Sequence, residues 1–184
     1  WAGAAVVSEF TQVEPVEGAK PSERTEILIL VDADAIYFAL KCFDSAPEGV
    51  AGTQMTRDAD LSPDDRVEIV LDTFQDRRNA YFFQTNPTGA LGDALVVNNG
   101  AIFIKDWDGA WSSRSTVDDR GWFAEMAIPA KTLSMPAGRT AFGFNVMRHI
   151  KRKNEQLRWA SPGRLRSLFQ LGGAGDLYGV LPLD

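Results

Sequence analysis

Apolar and polar residues alternate with a period of two along most of this chain. The clearest case is residues 67–72, where valine, isoleucine and leucine alternate with other side chains, and residues 81–86 repeat the pattern after a polar turn. This period, combined with β-branched and aromatic residues, is typical of β-strands. Two such runs joined by a short polar segment predict a β-hairpin, which we expect to lie at the centre of a sheet.

Shorter period-two runs fill the rest of the sequence, with turn signals between them. None shows a helical apolar period over a dozen residues. The pattern predicts an all-β fold, an antiparallel β-sandwich of two sheets related to the jelly rolls. The remaining predicted strands are at residues 6–13, 25–31, 36–44, 51–57, 90–97, 102–104, 111–117, 122–128, 141–150, 157–160 and 177–181.

Composition narrows the class of protein further. A chain of 184 residues with 45% hydrophobic residues can bury the core of one domain. We therefore expect a single domain over residues 1–184, excised from a larger protein. The net charge of −6 disfavours nucleic acid as a partner. Cys42 is the only cysteine, so no internal disulfide can form, and we expect it to be a small buried hydrophobe.

Three tryptophans lie close together in the sequence and are candidates for stacking on a sugar ring. Trp107 and Trp111 belong to the motif WDGAW, and Trp122 follows on a predicted strand. Exposed indoles stack on the C–H faces of sugars and also offer an N–H donor. We expect Trp122 to belong to the core. For the WDGAW pair, ligand stacking and plugging of a sheet end both remain open.

Charged residues near the hairpin suggest polar ligands or calcium. Arg57 and Asp65 lie in the loop before the hairpin, where an arginine among carboxylates can bind a polyol, coordinate calcium or form local ion pairs. Asp72, Asp76 and Asp93 are the candidate calcium ligands, because calcium takes several oxygen ligands.

Arg148 shares a strand face with apolar residues and needs a partner if it is buried. Glu68 or Asp65 is the expected partner, in a polar pocket or in a buried ion pair. Glu68 and Glu125 are strand carboxylates of the kind that glycosidases use in pairs, but such residues are more often structural, so we do not expect an enzyme.

One rival function involves a haem group. The single histidine, His149, and Met55 are residue types that can ligate haem iron from both sides. The alternative is that His149 is an exposed strand-end residue and that Met55 packs within a loop.

Several ordered motifs give the chain a resemblance to a known family. They are EPVEGAKPSERTEILILVDADAIYFALKCFD, RD, DDRVEIVLDTFQDRRNAYFF, NPTGALGD, WDGAW, GWFAEMAIP and GFNVMRHIKRKNE. With these motifs the chain resembles the family 9 carbohydrate-binding module-like domains over nearly its whole length. The likeness is greatest to the form at the N-terminus of large bacterial proteins of unknown function, which typically continue into an outer-membrane β-barrel.

The resemblance implies a two-sheet sandwich and a site for the end of a sugar chain between two tryptophans. Glu68 matches the family's acidic residue, and Asn86 matches its asparagine. Gln84 stands where the family has arginine, and Met147 where it has glutamine. Neither tryptophan is kept: the first position falls near residues 62–63 and the second in the segment SPGRLRSLF.

We therefore expect a non-catalytic module for a glycan or related polyhydroxy ligand, in the periplasm or elsewhere in the bacterial cell envelope. No cofactor other than calcium is expected. The alternative is a docking domain without a small ligand. Arginines in the site would favour an acidic glycan. The expected ligand-binding residues are Arg57, Asp65, Glu68, Gln84, Asn86, Trp107, Trp111 and Arg148.

Overall fold

Strands dominate the computed structural model, which describes residues 1–136 and 138–179. Helical structure in these residues is confined to single 3₁₀ turns, and none of these helices is long and apolar enough to cross a membrane. The strands are β1 (Ala5–Val7), β2 (Thr11–Glu14), β3 (Thr25–Val31), β4 (Ala35–Phe43), β5 (Arg66–Asp72), β6 (Ala80–Thr85), β7 (Gly92–Val97), β8 (Ile102–Ile104), β9 (Ser112–Asp118), β10 (Gly121–Pro129), β11 (Ala141–Ile150), β12 (Glu155–Arg158) and β13 (Gly175–Tyr178).

The strands form two antiparallel sheets. The first has the order β1-β3-β4-β10-β9, and the second β2-β12-β11-β5-β6-β7-β8, with β13 also pairing with β11. Apolar side chains from the facing sides of both sheets make one core, which holds the fully buried Trp122, Phe38 and Phe144. The sequence-based prediction of an antiparallel β-sandwich is confirmed.

The predicted central hairpin is β5 and β6. Glu68 is paired with Gln84 and Ile69 with Phe83, and β11 pairs with the other side of β5. Because side chains alternate between the faces of a sheet, Ile69 and Phe83 enter the core at 0% exposure, while Glu68 and Gln84 share the outer face. One hairpin therefore serves both the core and a polar surface.

Two predictions about single residues are confirmed by burial. Trp122 is fully buried in the core between the sheets. Cys42 is also fully buried, and this burial raises the pKa of its thiol to about 11. A thiol in that environment is protonated and unreactive at neutral pH.

Two predicted strands were wrong, for different reasons. The strand expected at residues 51–57 is a loop, because its backbone N–H groups donate to carboxylates rather than to a neighbouring strand: Thr53 N to Asp64 Oδ1 at 2.9 Å, and Ala51 N to Asp65 Oδ2 at 3.0 Å. The single strand expected at residues 6–13 is two strands, β1 and β2, which belong to different sheets.

The last predicted strand, at residues 177–181, begins two residues earlier as β13. Residues 180–181 of that prediction lie outside the described part of the chain.

Candidate functional site

A cavity of about 300 Å³ opens on the outer face of the second sheet, beside the polar pair of the central hairpin. Its floor is formed by Glu68 of β5 and by Phe82 and Gln84 of β6. The loop before β5, the segment around β8 and the chain after β12 form its walls. The wall residues include Asp58, Asp60, Ser62, Arg66, Phe103, Lys105 and Phe169.

Glu68 is the most perturbed group of this cavity. Arg66 Nε donates to its Oε1 at 2.8 Å, and His149 Nε2 lies 3.2 Å from its Oε2. Burial alone raises the pKa of the Glu68 carboxyl, but the nearby His149 and the hydrogen-bonded Arg66 outweigh burial and lower that pKa to about 2. The cavity floor therefore presents an acceptor on a rigid strand that is ionised at neutral pH.

Gln84 lies next to Glu68 and is held by its packing on a glycine. A Cβ atom added to Gly92 would lie 2.6 Å from Gln84 Nε2, so the glutamine side chain lies across the space that a larger residue would fill. Gln84 and Gly92 face each other in the β6–β7 register. The amide thus provides donors and an acceptor beside an ionised carboxylate.

Three phenylalanines form the apolar side of the cavity. The ring of Phe82 packs edge-on against Phe103 and Phe169, with centroid distances of 5.2 and 5.6 Å, and Phe103 and Phe169 lie 5.2 Å apart. Phe103 and Phe169 are only partly buried. A partly exposed phenyl wall beside fixed polar groups is suited to the C–H face and the hydroxyls of a sugar.

The structure separates the residues that the sequence grouped as ligand-binding. Glu68 and Gln84 line the cavity, but Asn86 is fully buried and donates to Asp64 Oδ2 and Gln54 O, both at 2.8 Å. Asp65 is also buried, where it accepts from the backbone N–H groups of residues 51 and 151. Asn86 and Asp65 hold the loop before β5 in place rather than facing the cavity.

Arg148 lies on the opposite face of the sheet from Glu68. It is paired with Val67 in the β11–β5 register, whereas Met147 is paired with Glu68. The Arg148 guanidinium is 1% exposed and donates to Arg24 O, Thr25 Oγ1 and Phe43 O at 2.8–3.0 Å. Of the two expected partners of Arg148, Glu68 is wrong, because alternation along β11 directs Arg148 into the core. The other, Asp65, is buried near enough to Arg148 for their charges to interact.

The WDGAW tryptophans pack at one end of the core. Trp111 is 7% exposed and donates its indole N–H to Asp93 Oδ2 at 2.5 Å, and Trp107 packs on Tyr81 and Phe83. Arg57 joins them, because its Nη2 donates to the same Asp93 oxygen at 2.6 Å. Among the described residues, neither indole lines the cavity beside Glu68.

The carboxylates expected to bind calcium do not form one group. Asp72 accepts from the backbone N–H groups of residues 76 and 77 in the β5–β6 turn, whereas Asp93 begins the next hairpin. Asp93 instead gathers with Asp58 and Asp108, with one oxygen of each within 4.8 Å of the others. Arg57 lies within 3.4 Å of all three carboxylates, and therefore supplies a positive charge that a cation would otherwise provide.

The carboxylates considered for hydrolysis lie on opposite sides of the sandwich. Glu68 is on the outer face of the second sheet, and Glu125 is exposed on the outer face of the first, where it accepts from the Trp1 indole at 2.8 Å. They cannot act on one glycosidic bond, because the two catalytic carboxyl groups of a glycosidase lie within about 10 Å of each other. Of the residues considered for haem, His149 is buried against Glu68 rather than exposed, and Met55 is 78% exposed rather than packed within its loop, so both expectations for their environments were wrong.

The sequence-based list missed Arg66, Phe82, Phe103, Lys105 and Phe169. Phe82 had a usable signal, because it lies two residues before Gln84 on the same strand and therefore on the same face. Phe169 also had one: it is the aromatic residue of SPGRLRSLF, the segment where the resemblance places the family's second tryptophan. The others reach the cavity through tertiary packing.

The comparisons with known proteins agree with this fold. The family model described as "Carbohydrate family 9 binding domain-like" matches residues 1–161. No curated protein matches the sequence.

Solved structures from two bacteria are similar to the chain. A proposed carbohydrate-binding protein from Bacteroides uniformis has a TM-score of 0.71 and 17% identity, covering 93% of this chain and 86% of its own. A family 9 carbohydrate-binding module from Caldicellulosiruptor kristjanssonii in complex with cellotriose has a TM-score of 0.66 and 15% identity, covering 100% and 90%. A family 9 carbohydrate-binding module from the same organism in complex with glucose has a TM-score of 0.62 and 15% identity, covering 93% of this chain and 83% of its own. At these identities the likeness establishes the fold.

Proposed function

The chain belongs to the carbohydrate family 9 binding domain-like family, and we propose that it is a non-catalytic module that binds a carbohydrate in the cavity beside Glu68. The observation that carries this proposal is the position of the cavity. Ser62, Glu68 and Gln84 line it, and these are positions where the resemblance places sugar-binding residues of the family.

The chemistry of the cavity supports a sugar ligand. An ionised carboxylate and an amide on neighbouring strands offer acceptors and donors for paired hydroxyl groups. The phenyl wall of Phe82, Phe103 and Phe169 offers an apolar surface for a pyranose face. Phe169 takes over part of the role of a missing tryptophan. Because its ring packs against Phe103 rather than facing it across a gap, the sugar stacks on one side only.

We further propose that the domain acts in the bacterial cell envelope as the N-terminal part of a larger protein. This rests on the likeness of the motifs to domains that precede outer-membrane β-barrels. The full reading frame tests it: a downstream series of amphipathic strands of about ten residues each supports the proposal, and a cytoplasmic enzyme downstream contradicts it.

Isothermal titration with neutral and acidic oligosaccharides tests the binding function. We expect at least one of them to bind the parent protein at millimolar concentration or below. Glu68→Gln and Phe169→Ala should each weaken that binding about tenfold, which corresponds to the loss of one charge-assisted hydrogen bond or one stacking contact.

The control is Arg114→Gln, which changes an exposed residue of β9 in the other sheet. It should bind like the parent. If folded parent protein binds no sugar at millimolar concentration, the carbohydrate function is wrong and the docking-domain alternative replaces it. If the parent binds a sugar and both cavity variants bind it equally well, the cavity beside Glu68 is not the binding site.

A further inference from the structure

A second cavity of about 290 Å³ adjoins the first on the outer face of the second sheet. Glu68 and Phe169 line both cavities, so a ligand that lies on Phe169 in one can reach into the other. Three arginines line the second cavity: Arg158, Arg164 and Arg166. The two cavities together make a groove with a sugar-binding end and a cationic end.

Arg158 is the buried member of this set. Its residue is 3% exposed, and its Nη1 donates to the carbonyl oxygens of Ser161, Gly163 and Arg166 at 2.7–3.4 Å. Its remaining N–H groups are poorly satisfied: Nη2 contacts only Met147 Sδ at 3.8 Å, and Nε has no partner among the described residues. A buried guanidinium with unused donors is costly unless an anion accepts from it.

The carboxylates of the second cavity are already paired with other groups. Glu14 accepts from Arg164 Nη2 at 2.8 Å, and Glu68 accepts from Arg66 at 2.8 Å. Within the described residues, neither Arg158 nor Arg166 has a carboxylate within 4 Å. The charge of Glu68 acts on Arg158 without a direct ion pair, so the exposed Arg166 and the buried Arg158 are two positive charges with no directly paired carboxylate among the described residues.

We propose that the second cavity binds an anionic substituent of the glycan, so that the ligand of this module is an acidic oligosaccharide carrying a carboxylate or a sulfate. The sugar ring lies on the phenyl wall beside Glu68, and its anionic neighbour lies past Phe169 at Arg158 and Arg166. This inference rests on the proposed carbohydrate function and adds the charge of the ligand to it.

These arginines differ from the two that first suggested an acidic ligand. Arg57 is neutralised by Asp93, and Arg148 is held by backbone carbonyls in the core. Arg158, at the end of β12, and the exposed Arg166, in the segment that follows, instead both line the second cavity. The structure thus supports the acidic ligand that was expected from the sequence, but through Arg158 and Arg166 instead of Arg57 and Arg148.

The experiment compares three oligosaccharides of equal length by isothermal titration: cellotetraose, tetragalacturonate and a sulfated galactotetraose. We expect at least one anionic sugar to bind the parent about tenfold more tightly than cellotetraose at low salt. That advantage should shrink as salt rises, because exposed ionic contacts are screened over about 8 Å at physiological ionic strength. Comparing the two anionic sugars distinguishes carboxylate from sulfate recognition.

Arg166→Gln is the main variant because an exposed arginine can be replaced without loss of folding. It should lower the affinity for the preferred anionic sugar about fivefold and leave cellotetraose binding unchanged. Arg158→Lys keeps a positive charge but loses the planar guanidinium that can donate two parallel hydrogen bonds, so it should also weaken binding of the anionic sugar. Arg114→Gln, on the other sheet, removes the same charge and should change neither affinity.

The failure of this inference is distinct from the failure of the carbohydrate function. If cellotetraose binds the parent as tightly as both anionic sugars and Arg166→Gln changes nothing, the anionic subsite is wrong while the sugar-binding function stands. If none of the three sugars binds, both are wrong.

Discussion

Phe82 and Phe83 are consecutive residues of β6 that lie in two different environments. Phe83 faces the space between the sheets, where it is fully buried and packs against Trp111 at a centroid distance of 5.3 Å. Phe82 faces the outer side of the same sheet, where the smaller cluster that contains it is covered by Phe103 and by the chain around Phe169.

The difference between these two faces is in what covers them. The inner face is closed by a complete second sheet, so each side chain there contributes chiefly to stability. The outer face is covered by one short strand and one irregular segment, which leave a groove where Glu68 and Gln84 interrupt the apolar surface. Inner-face residues of these two strands therefore serve stability alone, whereas outer-face residues such as Glu68 also serve binding, and substitutions should separate the two sets by their effect on sugar affinity.

The largest expected effect is on the inner face. Phe83→Ala should lower the free energy of unfolding by about 3–5 kcal/mol, because it removes a fully buried ring from between the sheets. Phe103→Ala on the outer face should cost only about 1–2 kcal/mol, because its ring is partly exposed. Urea denaturation measures both. Equal losses would mean that the two faces are not as different as the burial indicates.

The second test concerns the buried arginine of the inner face. Arg148→Met should lower the free energy of unfolding by about 3 kcal/mol, because it leaves acceptors at Arg24, Thr25 and Phe43 without their donor. Sugar affinity of the folded variant should stay within a factor of two of the parent, as measured by titration well below its melting temperature. A selective loss of affinity would place Arg148 at the ligand after all.

The third test uses pH to mark the outer face. The folded pKa of Glu68 is lowered from 4.5 to about 2, so its contribution to stability is fully present above pH 4.5 and is lost as pH falls toward 2. Glu68→Gln should therefore be up to about 3 kcal/mol less stable than the parent at neutral pH, and the difference should disappear near pH 2. Urea unfolding of both proteins across this range measures it. A difference that does not change with pH would contradict this role of Glu68.

Period-two alternation was enough to predict the sandwich and the central hairpin. It also placed Arg148 in the apolar row of β11, since alternation assigns a strand residue to one of two faces. Alternation within one strand does not show which face of a neighbouring strand lies on the same side of the sheet, so Glu68 stayed beside Asp65 as a possible partner of Arg148. Register between distant strands depends on tertiary packing, which no local pattern encodes.

The groove was harder to predict because its walls come from irregular chain. Phe103 and Phe169 are far apart in the sequence and meet only after folding. The strand predicted at residues 51–57 is a loop. Its hydrogen bonds go to Asp64 and Asp65, and a hydrogen-bonding partner of that kind leaves no periodic signal.

The smallest expected effect comes from one methyl group under Gln84. In Gly92→Ala the new Cβ would lie 2.6 Å from Gln84 Nε2 and 2.8 Å from its Cγ, so the glutamine must leave its position across the glycine. Because only a flexible side chain has to move, the free energy of unfolding should change by less than about 1 kcal/mol. Sugar affinity should fall about threefold, since the amide is no longer held beside Glu68.

Gly172→Ala is the matched control, as a Cβ there meets nothing within 4 Å. Titration and urea unfolding of both variants give the comparison. If Gly92→Ala binds sugar like the control, the position of Gln84 contributes nothing to the site, and recognition on the outer face depends on Glu68 and the phenyl wall.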